Sequence, residues 1–414
     1  MALPLVGLVA KSAATIPTAG PAAFVPRQVF DVSPSIARSY FLGHHKSALT
    51  KMSKLLHHVG LIIECRDFRV PLTSWNPLLE QKLAANPAER ARIIVYTKCD
   101  LGPDRVQKSA SQQSSSEVIK ALREFHRKNN HASAVLFLRQ NKDRGRGSGP
   151  ASSSRSSRSS HDPGVHLIDA IKRVARETFS LTGLRCMVVG MPNAGKSTLL
   201  NRLRGLGVGL GKAAKTGGQP GVTKKLATPV RIAPAESSGV PGSEGLGEGV
   251  FLIDTPGVSM PYISRPEDML KLALVNCVKD NIVPHVIVAD YLLYHLNLVD
   301  PALYAARFCD GVPTNDVLEF LRGVARRTGK LGKGGVFNIE SAADWVVQEW
   351  RRGGLGRFLL DTVTPETLSQ VLDAARNPAL SMNQAKKQEK EVRKTRNEMK
   401  RMGLSPSPVA GGSA

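Results

Sequence analysis

Gly190-Met-Pro-Asn-Ala-Gly-Lys-Ser197 follows the apolar run Arg185-Cys-Met-Val-Val189 and precedes a helical stretch from Thr198 to Leu206. G-x-x-x-x-G-K-S between a strand and a helix is the context a phosphate-binding loop requires. The glycines let main-chain N–H groups face phosphate oxygens, and the helix start adds favourable partial charge. On this reading Asn193, Ala194, Gly195, Lys196, Ser197 and Thr198 surround the phosphates of a nucleotide. The Lys196 ammonium neutralises the β- and γ-phosphates, and the Ser197 hydroxyl is a magnesium ligand. A chance glycine turn is the competing reading, and the coincidence of strand, spacing and helix counts against it.

Two further motifs give the loop its partners. Val250-Phe-Leu-Ile-Asp254 reads as a strand whose last residue opens Asp254-Thr-Pro-Gly257. A carboxylate there suits a magnesium ion held through water, and the Gly257 N–H suits the γ-phosphate. Between the two motifs, Thr223 of Pro220-Gly-Val-Thr223 offers a hydroxyl to complete the magnesium shell. Upstream, the run Ile93-Ile-Val-Tyr-Thr97 leads into Thr97-Lys-Cys-Asp100, which fits the guanine-reading N/T-K-x-D pattern. Asp100 would accept N1–H and the 2-amino group, Lys98 would lie along the base plane, and Cys99 stands between them. Adenine lacks both donors and would leave a buried carboxylate unpaired, a mismatch that rejects strongly.

The usual order places the base motif after the phosphate loop; here it comes first. A circular permutation produces that order and leaves the folded site intact. Further apolar runs at Val59 to Cys65 and Ala134 to Leu138, with helical stretches at Ser47 to His58 and Glu117 to Asn129, predict an α/β fold. The expected architecture is a circularly permuted P-loop domain with a mostly parallel sheet and helices on both faces, followed by a smaller helical C-terminal domain. The expected boundaries are an import leader over 1–38, the nucleotide domain over 39–265, the helical domain over 266–380 and a basic tail over 381–414. Low-complexity stretches at about 141–160 and 235–249 read as solvated insertions.

The chain carries 57 Lys+Arg against 34 Asp+Glu over 414 residues, a formal net charge of +23. That excess makes a polyanion, nucleic acid first, the leading kind of partner. Lys386 to Arg401 alone holds eight basic and three acidic residues, enough to neutralise several phosphates with little sequence preference. A solvated helix is the competing reading. The five cysteines have no C-x-x-C spacing, which argues against a zinc site or a disulfide framework. No run of about 18 uninterrupted apolar residues marks a membrane span. From Met1 to Phe30 there is no acidic residue, as in leaders used for mitochondrial import.

With these motifs in place the sequence resembles the circularly permuted GTPases of the YlqF/RbgA ribosome-assembly family, in its mitochondrial branch. The resemblance rests on Gly43-His44, on Asp67-Phe-Arg-Val-Pro-Leu-Thr-Ser-Trp-Asn-Pro77, and on the T-K-C-D, G-M-P-N-A-G-K-S-T, P-G-V-T and D-T-P-G motifs, over about residues 40 to 265. Three departures stand out. Phe68 replaces the usual Ala. Thr97 replaces the usual Asn, which puts one hydrogen bond to the base or the phosphate loop in doubt. No S-A guanine loop follows Leu138.

The resemblance implies GTP and GDP as ligands, Mg2+ as cofactor, and K+ ligated by Asn193, whose competing reading is a simple turn residue. Val258, directly after D-T-P-G, cannot orient water, and the resemblance offers His44 as the catalytic residue that does so on the bound particle. A surface or capping histidine is the competing reading of His44. The implied role is a GTP-hydrolysing factor in the mitochondrial matrix that binds the large ribosomal subunit precursor and its rRNA, couples hydrolysis to maturation, and then leaves. The basic surface also suits peripheral contact with the matrix side of the inner membrane. A nucleotide-gated RNA-binding module with incidental hydrolysis, or a cytosolic or nucleolar permuted GTPase, remain as alternatives.

Overall fold

The computed structural model describes residues 24–32, 36, 43–84, 90–103, 113–130, 132–139, 162–214, 217, 228–260, 262–263, 265–280 and 282–376. The leader before residue 24, the stretch 141–160, Thr223 and the basic tail lie outside the described residues. Six strands form one sheet: β1 Leu61–Asp67, β2 Ala91–Thr97, β3 Ala134–Phe137, β4 Leu184–Gly190, β5 Val230–Ala233 and β6 Val250–Asp254. Their order is β3-β2-β1-β4-β6-β5. Every pairing is parallel except β5 with β6. The permutation therefore changes which strand comes first and leaves a doubly wound sheet. Ligands bind such sheets at the carboxyl ends of the strands, where all three motifs end up.

β1 lies at the centre, and all seven of its residues are buried. The apolar run predicted a strand from Val59; the strand starts at Leu61 and continues through Glu64, Arg66 and Asp67. Those polar residues are tolerated because they are paired. Arg66 Nε donates to Glu64 Oε1 at 2.7 Å, and Arg92 bridges Glu64 and Glu80. Burial alone would raise the Glu64 pKa, but Arg66 and Arg92 overturn this and hold it well below the carboxylate range. The Arg66 guanidinium also lies 4.1 Å from the Trp75 ring centre.

The helices are α1 Gly43–Leu55, α2 Pro77–Ala84, α3 Ser115–Lys128, α4 Pro163–Thr178, α5 Lys196–Gly207, α6 Pro266–Leu274, α7 His285–Val299, α8 Ala302–Phe308, α9 Val317–Thr328, α10 Ile339–Arg351 and α11 Pro365–Arg376. Ser114 and Glu117 form a reciprocal capping box at the start of α3. Asp162, Asp316 and Asn338 cap α4, α9 and α10. No single helix among the described residues is long and apolar enough to cross a membrane.

Among the described residues the helical half shares its core with the sheet. Leu61, Ile63 and Val188 of the sheet belong to the same buried cluster as Leu270, Leu272, Tyr291, Leu321 and Trp350. Each such side chain stabilises by about 1.5–3 kcal/mol on burial, and removing either half would expose the other. The two halves are also joined by polar contacts. Asp361 accepts from the Leu72 and Thr73 main-chain N–H groups at 2.9 and 2.8 Å and from Thr73 Oγ1 at 2.7 Å.

Two stretches singled out by composition pack in part against the fold. Residues 24–32, placed within the leader, pack on the helical half. Arg27 pairs with Asp290 at 2.5 Å, Asn315 Nδ2 donates to Val25 O at 3.0 Å, and Phe30 meets Tyr291 edge-on at 5.1 Å. Ile36 is buried in the shared core. The stretch 235–249 joins β5 to β6 and is mostly exposed, held at a few buried points. Leu246 is buried at 1% exposure, and Arg176 binds the carbonyls of Glu244 and Gly242.

Candidate functional site

The phosphate loop forms because β4 must turn sharply at Gly190. A Cβ there, at φ 141°, would sit 2.3 Å from the Cys65 carbonyl oxygen of neighbouring β1, so only glycine fits. Asn193 and Gly195 take left-handed conformations at φ 54° and 85°, after which α5 begins at Lys196. Lys196 is buried, and its Nζ donates to Met191 O at 2.7 Å and Gly190 O at 3.3 Å. Burial lowers its pKa, against an opposing pull from Asp254. The Ser197 hydroxyl donates to Asp254 Oδ2 at 2.6 Å. A hydroxyl and a carboxylate converging at the loop are the hard oxygen donors that magnesium takes, so these residues fit the ion. Thr198 is exposed on the first turn of α5.

Asp254-Thr-Pro-Gly257 is fixed against this loop. Thr255 Oγ1 donates to Val188 O at 2.6 Å, and a Cβ on Gly257 would fall 2.5 Å from Pro192 Cα. Val258 donates its main-chain N–H to Gly190 O at 3.2 Å, and its side chain is buried in an apolar cluster with Met187, Val189 and Leu79. Its carbonyl accepts from Asn76 Nδ2 at 2.8 Å.

The base motif closes over the loop from β2. Thr97 Oγ1 donates to Ala194 O at 2.9 Å and to Arg66 O at 3.2 Å. The loop contact that the Asn-to-Thr departure put in doubt is therefore present. Lys98, at φ 58°, sends Nζ to Asn193 O and to Asp67 Oδ2, both at 2.8 Å. Cys99 offers only its main chain to the site. Its thiol donates to Tyr96 O at 3.3 Å, burial pushes its pKa up, and its N–H binds Leu138 O at 3.0 Å, bringing the end of β3 alongside. Asp100 is half-buried in the turn that follows. Phe68 fills an aromatic cluster with Tyr96 and Phe137 beneath Gly102, which accounts for Phe where Ala is usual.

Sequence reasoning assigned no role to Asp67, Arg69, Asn76 or Asn276. Asp67 accepts from Arg69 Nε at 3.0 Å and Nη2 at 2.8 Å as well as from Lys98. Burial would raise its pKa, but Arg69 and Lys98 outweigh burial and keep it ionised. The available signal was a set of polar residues at the end of a fully buried strand. Asn193 Nδ2 donates to Asn276 O at 2.8 Å, a contact that nothing local announces. His44 falls in the first turn of α1; its side chain, like Thr223, lies outside the described residues.

Residues 185–304 match the family described as 50S ribosome-binding GTPase. The chain is 36% identical over 358 residues to Mitochondrial GTPase 1 of Schizosaccharomyces pombe, covering 84% of this chain and 95% of that protein. It is 30% identical over 346 residues to Mitochondrial ribosome-associated GTPase 1 of Ictalurus punctatus, covering 81% of this chain and 96% of the relative. Among solved structures, GNP-bound YlqF from T. maritima aligns at 22% identity with a TM-score of 0.44, covering 76% of this chain and 97% of the other. With the two sequence relatives and the family model added to the inverted motif order and the assembled loop, the chain belongs to the circularly permuted GTPases of the YlqF/RbgA family, in the branch of the Mitochondrial GTPase 1 proteins, and is an enzyme that hydrolyses GTP.

Proposed function

We propose that this GTPase binds the precursor of the mitochondrial large ribosomal subunit in the matrix, couples hydrolysis to its maturation, and leaves once GTP is spent. The observation that carries the nucleotide half of the proposal is the hydrogen-bonded closure of the base motif on the phosphate loop, Thr97 to Ala194 at 2.9 Å. The ribosomal half is supported by the names of the relatives and by the charge of +23, which suits rRNA.

In this reading Asp100 accepts the guanine donors, and Lys98 braces base motif and phosphate loop together. Lys196 leaves its loop carbonyls to neutralise the β- and γ-phosphates, and the Gly257 N–H reads the γ-phosphate. Ser197, Asp254 and Thr223 hold magnesium, which when bound spreads the charge developing on the phosphates. Asn193 holds potassium beside them. Val258 is buried and has no polar group, so the attacking water is oriented by another residue; His44 takes that role on the bound particle. Residues before 24 act as the import leader, and the basic tail contacts rRNA or the inner-membrane surface.

The test is co-sedimentation of the protein with purified mitochondrial ribosomal subunits in GDP or a non-hydrolysable GTP analogue, together with hydrolysis rates with and without large subunits. Analogue-dependent binding to large subunits and stimulated hydrolysis are expected. Hydrolysis indifferent to the particle would leave the nucleotide-gated RNA-binding reading, and no binding would remove the ribosomal role. Rates in potassium against sodium test the Asn193 assignment.

A further inference from the structure

Helix α6 ends in a left-handed residue that is not glycine. Asn276, at φ 66°, is buried, with Cys277 N donating to Leu272 O at 2.8 Å and Asn276 N to Ala273 O at 3.0 Å. This pair of bonds is the Schellman arrangement, which ends the helix and gives the Leu272 and Ala273 carbonyls main-chain donors. Each of four consecutive carbonyls is then met by a side chain from elsewhere. Arg351 of α10 donates Nη2 to Ala273 O at 2.8 Å and Nε to Leu274 O at 2.9 Å. Arg69, after β1, donates Nη2 to Val275 O at 3.3 Å. Asn193, in the phosphate loop, donates Nδ2 to Asn276 O at 2.8 Å.

Through these bonds the nucleotide motifs close into a ring. Lys98 of the base motif binds both Asn193 O and Asp67; Asp67 grips Arg69; Arg69 and Asn193 hold adjacent carbonyls of the same helix end. A carbonyl can only accept, so Asn276 fixes which end of the Asn193 amide faces it. The nitrogen is committed to α6, and the amide oxygen cannot occupy that place. The loop residue at the heart of the phosphate site is thus oriented by the helical half.

We infer that the C-terminal turn of α6 is a working part of the nucleotide site: Asn276 is a positioning residue that sets the Asn193 side chain through its main-chain carbonyl, and Arg351 holds that turn in place without touching nucleotide. The inference rests on the phosphate-loop assignment proposed above. It places nucleotide affinity under the control of a segment that no nucleotide-binding motif contains.

The test uses the full chain and a fluorescent GDP analogue, with the unfolding temperature measured in parallel. Asn276→Val puts a β-branched residue where φ is positive and forces the carbonyl to move. Affinity is expected to fall about tenfold, the worth of one buried hydrogen bond lost at the site. Asn276→Gly keeps both the turn and the carbonyl, and should restore most of that affinity. A merely structural role would lower the unfolding temperature of Asn276→Val and leave its affinity at the wild-type value, which overturns the inference. Should Asn276→Val not fold, Arg351→Met replaces it: affinity is expected to weaken about threefold or more, and wild-type affinity in that variant overturns the inference equally. Lys196→Ala separates the two levels. Tight binding by Lys196→Ala would remove the phosphate-loop assignment itself; loss of binding there beside wild-type affinity in Asn276→Val and Arg351→Met would remove only the role of α6.

Discussion

The Thr97 hydroxyl and the Ala194 carbonyl, 97 residues apart in sequence, are 2.9 Å apart in space, and this bond joins the guanine motif to the phosphate loop. Thr97→Val keeps the shape and removes the donor, leaving a buried carbonyl short of a partner. The expected loss is about 1–3 kcal/mol, felt as weaker binding of both GDP and GTP. Thr97→Ser should retain near-normal affinity. Titration calorimetry of the three proteins decides, and equal affinities would detach the bond from nucleotide binding.

Asp100→Asn exchanges two acceptors for one acceptor and one donor. Preference should shift from GTP toward xanthosine triphosphate, whose C2 oxygen accepts where guanine donates. Competition between the two nucleotides for the variant measures this directly. An unchanged preference would place guanine reading elsewhere.

For His44 the expected signature is confined to the particle. His44→Ala should bind GTP and the large subunit normally while its stimulated single-turnover rate falls by about 10²-fold. His45→Ala serves as control and should do little. Full stimulation of His44→Ala would hand the water-orienting role to the ribosome or to the cation at Asn193.

The packing of residues 24–32 bears on where an import leader would end. Because Arg27, Phe30 and Ile36 pack on the helical half, cleavage at residue 38 would strip folded contacts. N-terminal sequencing of the mature protein is expected to find a start at or before Phe24. Phe30→Ala should cost about 1–2 kcal/mol in denaturant unfolding, less than a fully buried phenylalanine because the ring is only partly covered.

His295 gives a pH signature. Burial, reinforced by nearby Lys271, lowers its pKa to about 3 from 6.5. The unfolded chain therefore binds a proton between about pH 6.5 and 3 that the folded chain refuses. This group's contribution to stability is complete above about 6.5 and is lost as pH falls toward 3. His295→Leu removes the penalty, so wild type should lose stability relative to the variant between pH 7 and 5 in urea melts. Parallel pH profiles would show that the imidazole is solvated.

What the sequence made legible was local. The phosphate loop, D-T-P-G and the strand before T-K-C-D each carry spacing and apolar runs that a linear reading detects, and the permutation follows from their order. β5 escaped because it has four residues, lies between Pro229 and Pro234 and pairs antiparallel at the edge. Both bounds of β1 were read two residues early, its end because Glu64, Arg66 and Asp67 together look like the close of a strand. Only partners such as Arg92, 28 residues from Glu64, make them buried. Asn276 reaches Asn193, and Asp361 the loop after β1, across 83 and 288 residues, where no periodicity can point to them.

Asp361 has a temporal consequence. Its carboxylate binds the main-chain N–H groups of Leu72 and Thr73, 289 and 288 residues earlier in the chain. Whether the polypeptide emerges from a ribosome or from an import pore, the loop beside the guanine motif appears among the first parts and its clasp near the last. Contacts of such separation form late and expose their partners while they wait. Until Asp361 arrives, the loop lacks its carboxylate partner, so the enzyme can finish the segment that follows β1 only when almost the whole chain has been delivered.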